Sequence, residues 1–360
     1  NVGTIVRSNV PNTRLEWEKK LQFDGGLDLS LFKHLVDLQF NYFYANSYDL
    51  LLDRNISSVY GSSIYYDNTA EISTQGYEFA LRLNPVHTKD FDWVIAGNIA
   101  TAKSTVESLG NTQTQDIIDF KAYNEDDAQV ITKVGRSPYE FYGYETNGVY
   151  ATTQEALASG LKNSYGNNYR GGDVRFVDQN HDGVINDEDR VSLGSATPDF
   201  FGGLSTTFRY KWISLKADFG YSVGNKAYNA TRRMSESMST FYNQSTSVLN
   251  RWQVEGQVTD MPRAAYGDPS GNNFFSDRWV EDASYFKLRA LTLAFHFDNK
   301  MLKFCQSGTI YVTGENLFTA TDYLGSDPEF NYSYSESMRG FDYAKVSLPI
   351  TIKVGFNLNF

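Results

Sequence analysis

The segment LPITIKVGFNLNF, residues 348–360, decides the fold class of this chain. Every even-numbered residue from Ile352 to Phe360 is apolar, and every odd-numbered residue from Thr351 to Asn359 is polar or glycine. Side chains point alternately to the two faces of a β-strand, so the segment predicts a strand with one apolar and one polar face. A soluble β-sandwich can contain such a strand, whereas an outer-membrane β-barrel consists of many, each about 10 residues long.

The same alternation recurs along the chain and predicts about nine strands. It is clearest in ISLKADFGYSV, residues 213–223, where apolar residues occupy every odd position. The other predicted strands lie at 21–31, 36–44, 76–83, 91–101, 200–210, 285–297, 309–318 and 348–360. Residues 84–90, NPVHTKD, are predicted to form a turn because of their proline and polar content.

The connections between these strands alternate between short and long. Short links lie near Lys33, His87, Lys211 and Met301, and long ones span 54–69, 103–199, 224–281 and 321–343. Outer-membrane barrels have short periplasmic turns and long extracellular loops, whereas a sandwich has no reason to sort its loops in this way. We therefore predict an all-β, antiparallel transmembrane barrel portion, with 103–199 and 224–281 as long extracellular loops.

The composition agrees with a barrel and excludes several other classes. Aromatic residues make up 15% of the chain, and the mean hydropathy is −0.44. No run of about 18 apolar residues occurs, so no transmembrane helix is predicted. The net charge of −11 argues against a nucleic-acid partner, which would favour a basic patch. The single Cys305 excludes an internal disulfide framework and a paired-cysteine zinc site.

The chain begins NVGTIVRSN, without an initiator methionine, a basic region or a long apolar region. No secretion signal is therefore expected in this segment. Either a signal has been cleaved, or the chain starts within a longer polypeptide.

The most specific local motif is DQNHDGVINDED, residues 178–189, which matches an EF-hand calcium loop. Glycine stands at position six, where the loop needs a sharp turn, and Asp189 replaces the usual glutamate at position twelve. The flanking GGDVRFV reads as extended, so we predict a lone loop that stiffens segment 103–199. Hard oxygen ligands favour Ca²⁺, with Mg²⁺ as the weaker candidate. The predicted ligands are Asp178, Asn180, Asp182, the Val184 carbonyl, Asn186 and Asp189. The alternative is an acidic, Asx-rich turn without a metal.

No convergent catalytic set is found, and we predict that the chain is not an enzyme. The pattern GxSxG occurs around Ser222, but that serine lies on the polar face of an alternating strand, whereas a nucleophile elbow needs a strand-to-helix turn. The four histidines are scattered. Aromatic residues of the long loops either stack on sugar rings or pack between loops; they are Tyr139, Phe141, Tyr142, Tyr144 and Tyr150.

Taken together, the motifs resemble one protein family in sequence order. The segments that carry the resemblance are LEWEKKLQFDGGLDLSLF (15–32), STQGYEFAL (73–81), SPYEFYGYETNGVY (137–150), GDVRFVDQNHDGVINDEDRVSLGSATPDFFGGL (172–204), DRWVEDASYFKLRALTL (277–293), GENLFTATDYLGSDPEF (314–330) and the final strand. In this order they resemble the C-terminal part of SusC/RagA-family TonB-dependent outer-membrane transporters of Bacteroidetes, over essentially the whole chain.

The resemblance implies a 22-stranded barrel in the outer membrane, plugged by an N-terminal domain and energised by the TonB complex. It also implies a SusD-like surface lipoprotein as a lid, and a glycan fragment or an oligopeptide as cargo. This sequence lacks the plug, the TonB box and the N-terminal extension of the full pattern, so we expect a fragment or one piece of a split transporter. Nine strands are an odd number, and bacterial barrels have even numbers, so further strands must come from elsewhere.

Three alternatives remain at this point. A calcium-stiffened secreted or surface β-sandwich for binding or adhesion would be soluble without detergent. A siderophore or cobalamin receptor is disfavoured by the calcium loop and by the motifs at 284–293 and 315–323. An enzyme is disfavoured because no catalytic set is found.

Overall fold

The computed structural model describes residues 10–55, 59, 64–110, 115–120, 128–298, 301, 305–330, 333 and 335–360. The first nine residues, on which the expectation about a secretion signal rests, lie outside this set. Parts of the connections predicted at 54–69 and 321–343 and of the link near Met301 lie outside it as well.

The described residues form twenty strands and five short helical segments. In chain order the strands are β1 (Lys19–Leu31), β2 (Val36–Asn55), β3 (Ile64–His87), β4 (Phe91–Leu109), β5 (Gln115–Phe120), β6 (Ala128–Lys133), β7 (Glu140–Tyr144), β8 (Thr146–Val149), β9 (Lys162–Asn163), β10 (Val174–Phe176), β11 (Val184–Ile185), β12 (Arg190–Gly194), β13 (Phe200–Tyr210), β14 (Ile213–Val223), β15 (Lys226–Asn229), β16 (Val280–Asp282), β17 (Tyr285–Asp298), β18 (Ser307–Thr321), β19 (Phe341–Asp342) and β20 (Thr351–Asn359). The α-helices are α1 (Thr153–Ser159) and α2 (Ala230–Glu236), and 3-10 turns lie at Asp187–Asp189, Thr246–Asn250 and Glu336–Met338.

One large antiparallel sheet contains the nine long strands, in the order β1-β2-β3-β4-β13-β14-β17-β18-β20. These are the nine strands that alternation predicts, and β20 pairs with β18 in antiparallel register. Within the described residues, β1 and β20 are the two edges of this sheet. No helix in the described part of the chain is long and apolar enough to span a membrane.

The large sheet has one apolar and one polar face, as the alternation predicts. On the apolar face, Phe356 pairs with Ile310 and Val354 pairs with Val312 across the β18–β20 ladder. Phe356 is 74% exposed, and no other described element packs over it. On the polar face, Lys353 donates to the Glu315 carboxylate at 2.6 Å. An uncovered apolar face does not fit the sandwich alternative, because in a sandwich a second sheet covers that face.

Several strands are longer than predicted. Strand β3 begins at Ile64 and continues to His87, although the sequence indicates only 76–83 and a turn at 84–90. Strand β4 continues to Leu109, so the first residues of the predicted loop 103–199 belong to a strand. β-Bulges interrupt the β2–β3 ladder near Ser47 and the β3–β4 ladder near Glu71, and a bulge breaks the period of two. The added ends of β3 and β4 are therefore hydrogen-bonded strands, but their sequences do not alternate and so do not predict a strand.

The described residues of the connections between the long strands form short strands and helices, and they hold most of the buried core. Their short strands form a four-stranded sheet (β12-β7-β6-β5), a three-stranded sheet (β16-β15-β19) and the pairs β10-β8 and β11-β9. Each of these strands has only two to six residues, which is too short to show a period in the sequence. We call residues 128–194, 225–283 and 341–343 the loop body.

Candidate functional site

An aromatic cluster joins three separate connections into the loop body. The Tyr228 ring lies 4.9 Å from Phe275 and 5.5 Å from Phe341, between ring centroids, and Phe141 lies 5.4 Å from Phe341. Phe141, Phe275 and Phe341 are fully buried. Aromatic pairs at these distances contribute about 0.5–1.5 kcal/mol each beyond the area they bury. The three connections therefore pack as one unit.

The burial of the loop aromatic residues shows whether they can contact a sugar or pack between loops. Phe141, Tyr144 and Tyr150 are at most 2% exposed, so their rings fill the loop body and are closed to a ligand. Tyr139 is 36% exposed. Of the five aromatic residues considered, these three pack between loops.

Two arginines clamp a buried tryptophan in the same body. The guanidinium carbons of Arg232 and Arg278 lie 5.3 and 4.6 Å from the ring centroid of Trp279. Arg232 also pairs with Glu236 at 3.0 Å and with Glu281 at 2.8 Å. Burial, and then the neighbouring Arg232, lower the pKa of Arg278 to about 10. These contacts fix α2 against the segment that leads into β16.

The predicted calcium loop curls around its own side-chain oxygens. The Asp178 carboxylate accepts the backbone N–H of His181 at 2.7 Å and that of Gly183 at 2.9 Å. Gly183 has a φ of 83°, which a residue with a Cβ rarely adopts, and this agrees with its predicted place at the sharp turn. The Asp182 carboxylate accepts the N–H of Val184 at 2.7 Å. Asp178 and Asp182 thus both bond to the backbone of the loop, whereas the side chains of Asn180 and Asp182 stay exposed.

Asp189 closes the end of the loop. It is fully buried, and its two oxygens accept the N–H groups of Gln179 and Asn186, each at 2.9 Å. The Asn186 side chain accepts the N–H of Glu188, which completes a capping box around the 3-10 turn Asp187–Asp189. These bonds satisfy the buried carboxylate and hold residues 178 and 189 near each other. The same bonds would also serve the metal-free alternative.

The charge of the loop favours a cation. Within the described residues, no lysine or arginine forms an ion pair with Asp178, Asp182 or Asp189, and the nearby Arg190 pairs with Asp187 instead. The Val184 carbonyl accepts a long bond, of 3.4 Å, from the Asn186 side chain. No group of three or more His, Cys, Asp or Glu side chains in the described part of the chain forms a metal site by itself. A site here would therefore need the asparagine and carbonyl oxygens of the predicted set, which suit Ca²⁺.

The loop is attached directly to the core of the loop body. Val184 and Ile185 form β11, which pairs in parallel with β9. The Ile185 side chain is fully buried in a second cluster that includes Tyr144 and Phe176. A metal bound at 178–189 would therefore stiffen a segment that is already anchored at its eighth position.

A charge network that sequence reasoning missed lies on the polar face of the large sheet. The Lys287 ammonium donates to both oxygens of Asp327 at 3.1 Å and to Glu329 at 3.3 Å. Arg289 pairs with Glu329 at 2.7 Å. Lys287 is 2% exposed although it lies in the strand YFKLRALTL, and Asp327 is 8% exposed. The network fastens the connection between β18 and β20 to β17, and its sequence signal is two cations in an otherwise apolar strand.

The GxSxG pattern has no catalytic geometry. Ser222 lies in β14, close to its end, and its hydroxyl donates to the Asn225 side chain at 2.8 Å. The histidine on the neighbouring strand, His296, contacts Ser214 and Thr309 instead.

The sequence is similar to that of several known receptors. No family model matches the chain. The chain is 31% identical to the TonB-dependent receptor P3 of Formosa agariphila, over 100% of the chain and 36% of that receptor. It is 29% identical to the TonB-dependent receptor P26 of the same organism, over 99% of the chain and 36% of the receptor. It is 23% identical to the TonB-dependent receptor SusC of Bacteroides thetaiotaomicron, over 97% of the chain and 32% of SusC.

Solved structures show the same fold. The RagAB peptide transporter superposes with a TM-score of 0.78 at 22% identity, over 98% of this chain and 36% of that one. The open-open state of the RagAB peptide importer gives a TM-score of 0.79 over the same shares. This confirms the predicted barrel portion, while the total of 22 strands stays a prediction. The chain spans about a third of the length of the relatives it matches. It is a homologue of the TonB-dependent receptors, SusC among them, and it corresponds to their C-terminal part.

Proposed function

We propose that this chain supplies nine strands of an outer-membrane barrel that imports a nutrient oligomer with energy from the TonB complex. The observation that carries the proposal is the nine-stranded antiparallel sheet, with one uncovered apolar face and one polar face bearing the charge network. The apolar face meets lipid, and the polar face lines the lumen. A charge on the lipid face at the bilayer midplane costs about 2–4 kcal/mol, and the charged pairs Lys353–Glu315 and Lys287–Asp327 lie on the other face.

The remaining strands of the same transporter pair with the edges β1 and β20. A strand edge left open in lipid would expose unpaired backbone groups at several kcal/mol each. Nine strands and an even total require a further odd number, which a barrel of 22 would supply. The plug and the TonB contact belong to those missing parts. The assembly is a transporter and performs no covalent chemistry.

The loop body is the extracellular part, and it includes most of the segments 103–199 and 224–281. A SusD-like surface lipoprotein covers it as a lid, in line with the homology to SusC. Cargo is a glycan oligosaccharide or an oligopeptide; a solved relative in fold is described as a peptide transporter.

A calcium ion holds the loop 178–189 in this body. Three carboxylates without a cationic partner among the described residues, at the spacing of an EF-hand loop, support this proposal. When bound, the ion would supply charge neutralisation and rigidity through Asp178, Asn180, Asp182, the Val184 carbonyl, Asn186 and Asp189. Mg²⁺ is the second candidate, because it accepts oxygen ligands but demands stricter geometry.

Deletion of the complete transporter from its native strain tests the import function. The deletion strain should lose growth on either a glycan or a peptide mixture as sole nutrient, and it should grow normally on the corresponding monomers. Removal of TonB should reproduce the loss. Gentle solubilisation of the intact transporter should bring down a lipoprotein partner. Unchanged growth on every oligomeric nutrient, with no partner recovered, would refute the proposal.

A further inference from the structure

Arg289 occupies a special place in the charge network, because it lies at a β-bulge in both of its ladders. Against β14, the pairing passes from Asp218–Ala290 to Phe219–Leu288, and Arg289 is skipped. Against β18, the pairing passes from Leu288 to Ala290 in the same way. A bulge re-aims a side chain, and bulges are over-represented near binding sites. The bulge frees Arg289 from the strict alternation of the strand.

The neighbouring strand leaves room for the guanidinium. A Cβ on Gly220 would lie within clashing distance of Arg289, nearest to its Nε. Any other residue at 220 would therefore push the guanidinium away from β14. Gly220 pairs with Lys287, so the space that the Arg289 guanidinium occupies lies on the polar face, beside the buried ammonium.

The network has three ion pairs that differ in burial, and Glu329 contacts Lys287 at 3.3 Å as well as Arg289. Lys287 and Asp327 have side chains 2% and 8% exposed, and Asp327 also accepts the N–H groups of Glu329 and Leu348. Arg289 and Glu329 have side chains 47% and 27% exposed and share one contact of 2.7 Å. A buried pair cannot lose one partner cheaply, whereas an exposed pair contributes little. The network thus consists of the buried pair Lys287–Asp327 and the more exposed pair Arg289–Glu329, and Lys287 keeps both Asp327 oxygens if Glu329 moves away.

We propose that Arg289 is a carboxylate-binding position in the lumen, at which a carboxylate of the cargo replaces Glu329. The exchange leaves the charge of the network unchanged, because one carboxylate takes the place of another. Arg289 then offers a forked pair of donors to the incoming group, while Lys287 and Asp327 keep the wall in place. This inference rests on the proposed import function and narrows it to cargo that carries a carboxylate.

Two kinds of cargo carry the required group. An oligopeptide has an α-carboxylate at its C-terminus, and an acidic glycan has uronate carboxylates. A neutral glycan has neither. The shared chemistry is a carboxylate that can approach a guanidinium in two-point contact, and the experiment separates the sources.

Binding to the complete, detergent-solubilised transporter tests the proposal. The probes are a random tetrapeptide mixture and its C-terminally amidated counterpart, and an oligogalacturonate mixture and its methyl-esterified counterpart. The wild type should bind one acid probe at least about tenfold more tightly than its neutral counterpart, as expected for a hydrogen-bonded charge. Arg289→Gln should abolish that difference and leave the neutral probe unaffected. Glu329→Gln should tighten the acid probe, because the competing carboxylate is gone.

Lys353→Gln is the matched control, since Lys353 is another cation on the polar face, paired with Glu315 at 2.6 Å. It should leave the preference for the acid probe intact. If Arg289→Gln weakens acid and neutral probes equally, the residue has only a structural role and the proposal falls. If the wild type shows no acid preference with either probe pair, the proposal also falls, although TonB-dependent growth on a neutral oligomer would still uphold the import function. The growth test with the deletion strain, and not this binding experiment, decides whether the transporter imports a nutrient at all.

Discussion

Phe141 and Phe341 pack against each other at 5.4 Å between ring centroids, although one follows the fourth long strand and the other precedes the last. Both side chains are fully buried. The contact joins two connections that are far apart in the chain, so each of them buries apolar surface of the other.

Phe341→Ala should therefore loosen the whole loop body. Replacing a buried phenylalanine by alanine costs about 3–5 kcal/mol. We expect faster tryptic cleavage of the loop body in intact outer membranes, measured by the half-life of the full-length chain. Phe241→Ala is the control, because Phe241 is 89% exposed, and its half-life should match the wild type. Equal sensitivity of both variants would contradict the shared core.

The two faces of β20 should respond differently to the same substitution. Phe356→Arg places a charge in lipid at a cost of up to about 2–4 kcal/mol, whereas Asn357→Arg places it in the wet lumen. We expect the first variant to assemble poorly and the second to assemble almost normally. The heat-modifiable fraction in the outer membrane measures assembly. If both fall to the same level, the facing assigned here is wrong.

The strands could be predicted from sequence, whereas the loop body could not. Alternation in segments such as 213–223 is a local signal, and all nine long strands follow from it. Phe141, Phe275 and Phe341 each stand in short segments without a period, and their partners come from distant parts of the chain. No local pattern can reveal such packing. The ends of β3 and β4 were missed for a related reason, since bulges shift the alternation there.

Of the two candidate sites, one could be predicted from the sequence and the other could not. The loop 178–189 is contiguous, so its sequence alone predicts the sharp turn at Gly183, whereas its metal ligands stay a prediction. The charge network joins Lys287 to Asp327 across a strand and a connection, and only the fold brings them together. The two cations of YFKLR were visible in the sequence, but the burial of Lys287 was not.

Calcium should stabilise the loop body in the complete transporter. At a free Ca²⁺ concentration of 100 times Kd, a bound ion contributes about 2.7 kcal/mol. We expect a chelator to speed cleavage of the wild-type loop body and to have no effect on Asp178→Ala, which lacks the first ligand. Asp187→Ala is the control, because its side chain is 87% exposed and outside the ligand set, and it should respond like the wild type. Wild-type cleavage that ignores both chelator and added Ca²⁺ would favour the metal-free turn.

Breaking the buried anchor should release the connection between β18 and β20. Lys287→Met leaves the Asp327 carboxylate buried without its partner, which costs about 3–5 kcal/mol. Hydrogen exchange of residues 322–330 in the complete transporter should rise strongly. Lys216→Met is the matched control, because Lys216 and Asp218 form a half-exposed pair worth about 0–1 kcal/mol. Comparable exchange in the two variants would mean that Lys287 does not hold the segment.

The aromatic cluster also fixes the timing of maturation. Phe341 and Tyr343 come just before β20, so the cluster stays incomplete until the segment between β18 and β20 packs against Phe141 and Tyr228. Contacts between such distant residues form slowly, because a long loop must close first. An intermediate in which this segment is still detached would therefore leave part of the Phe141 and Tyr228 rings in contact with water. Full burial of these rings therefore reports that the segment before β20 has docked on the loop body.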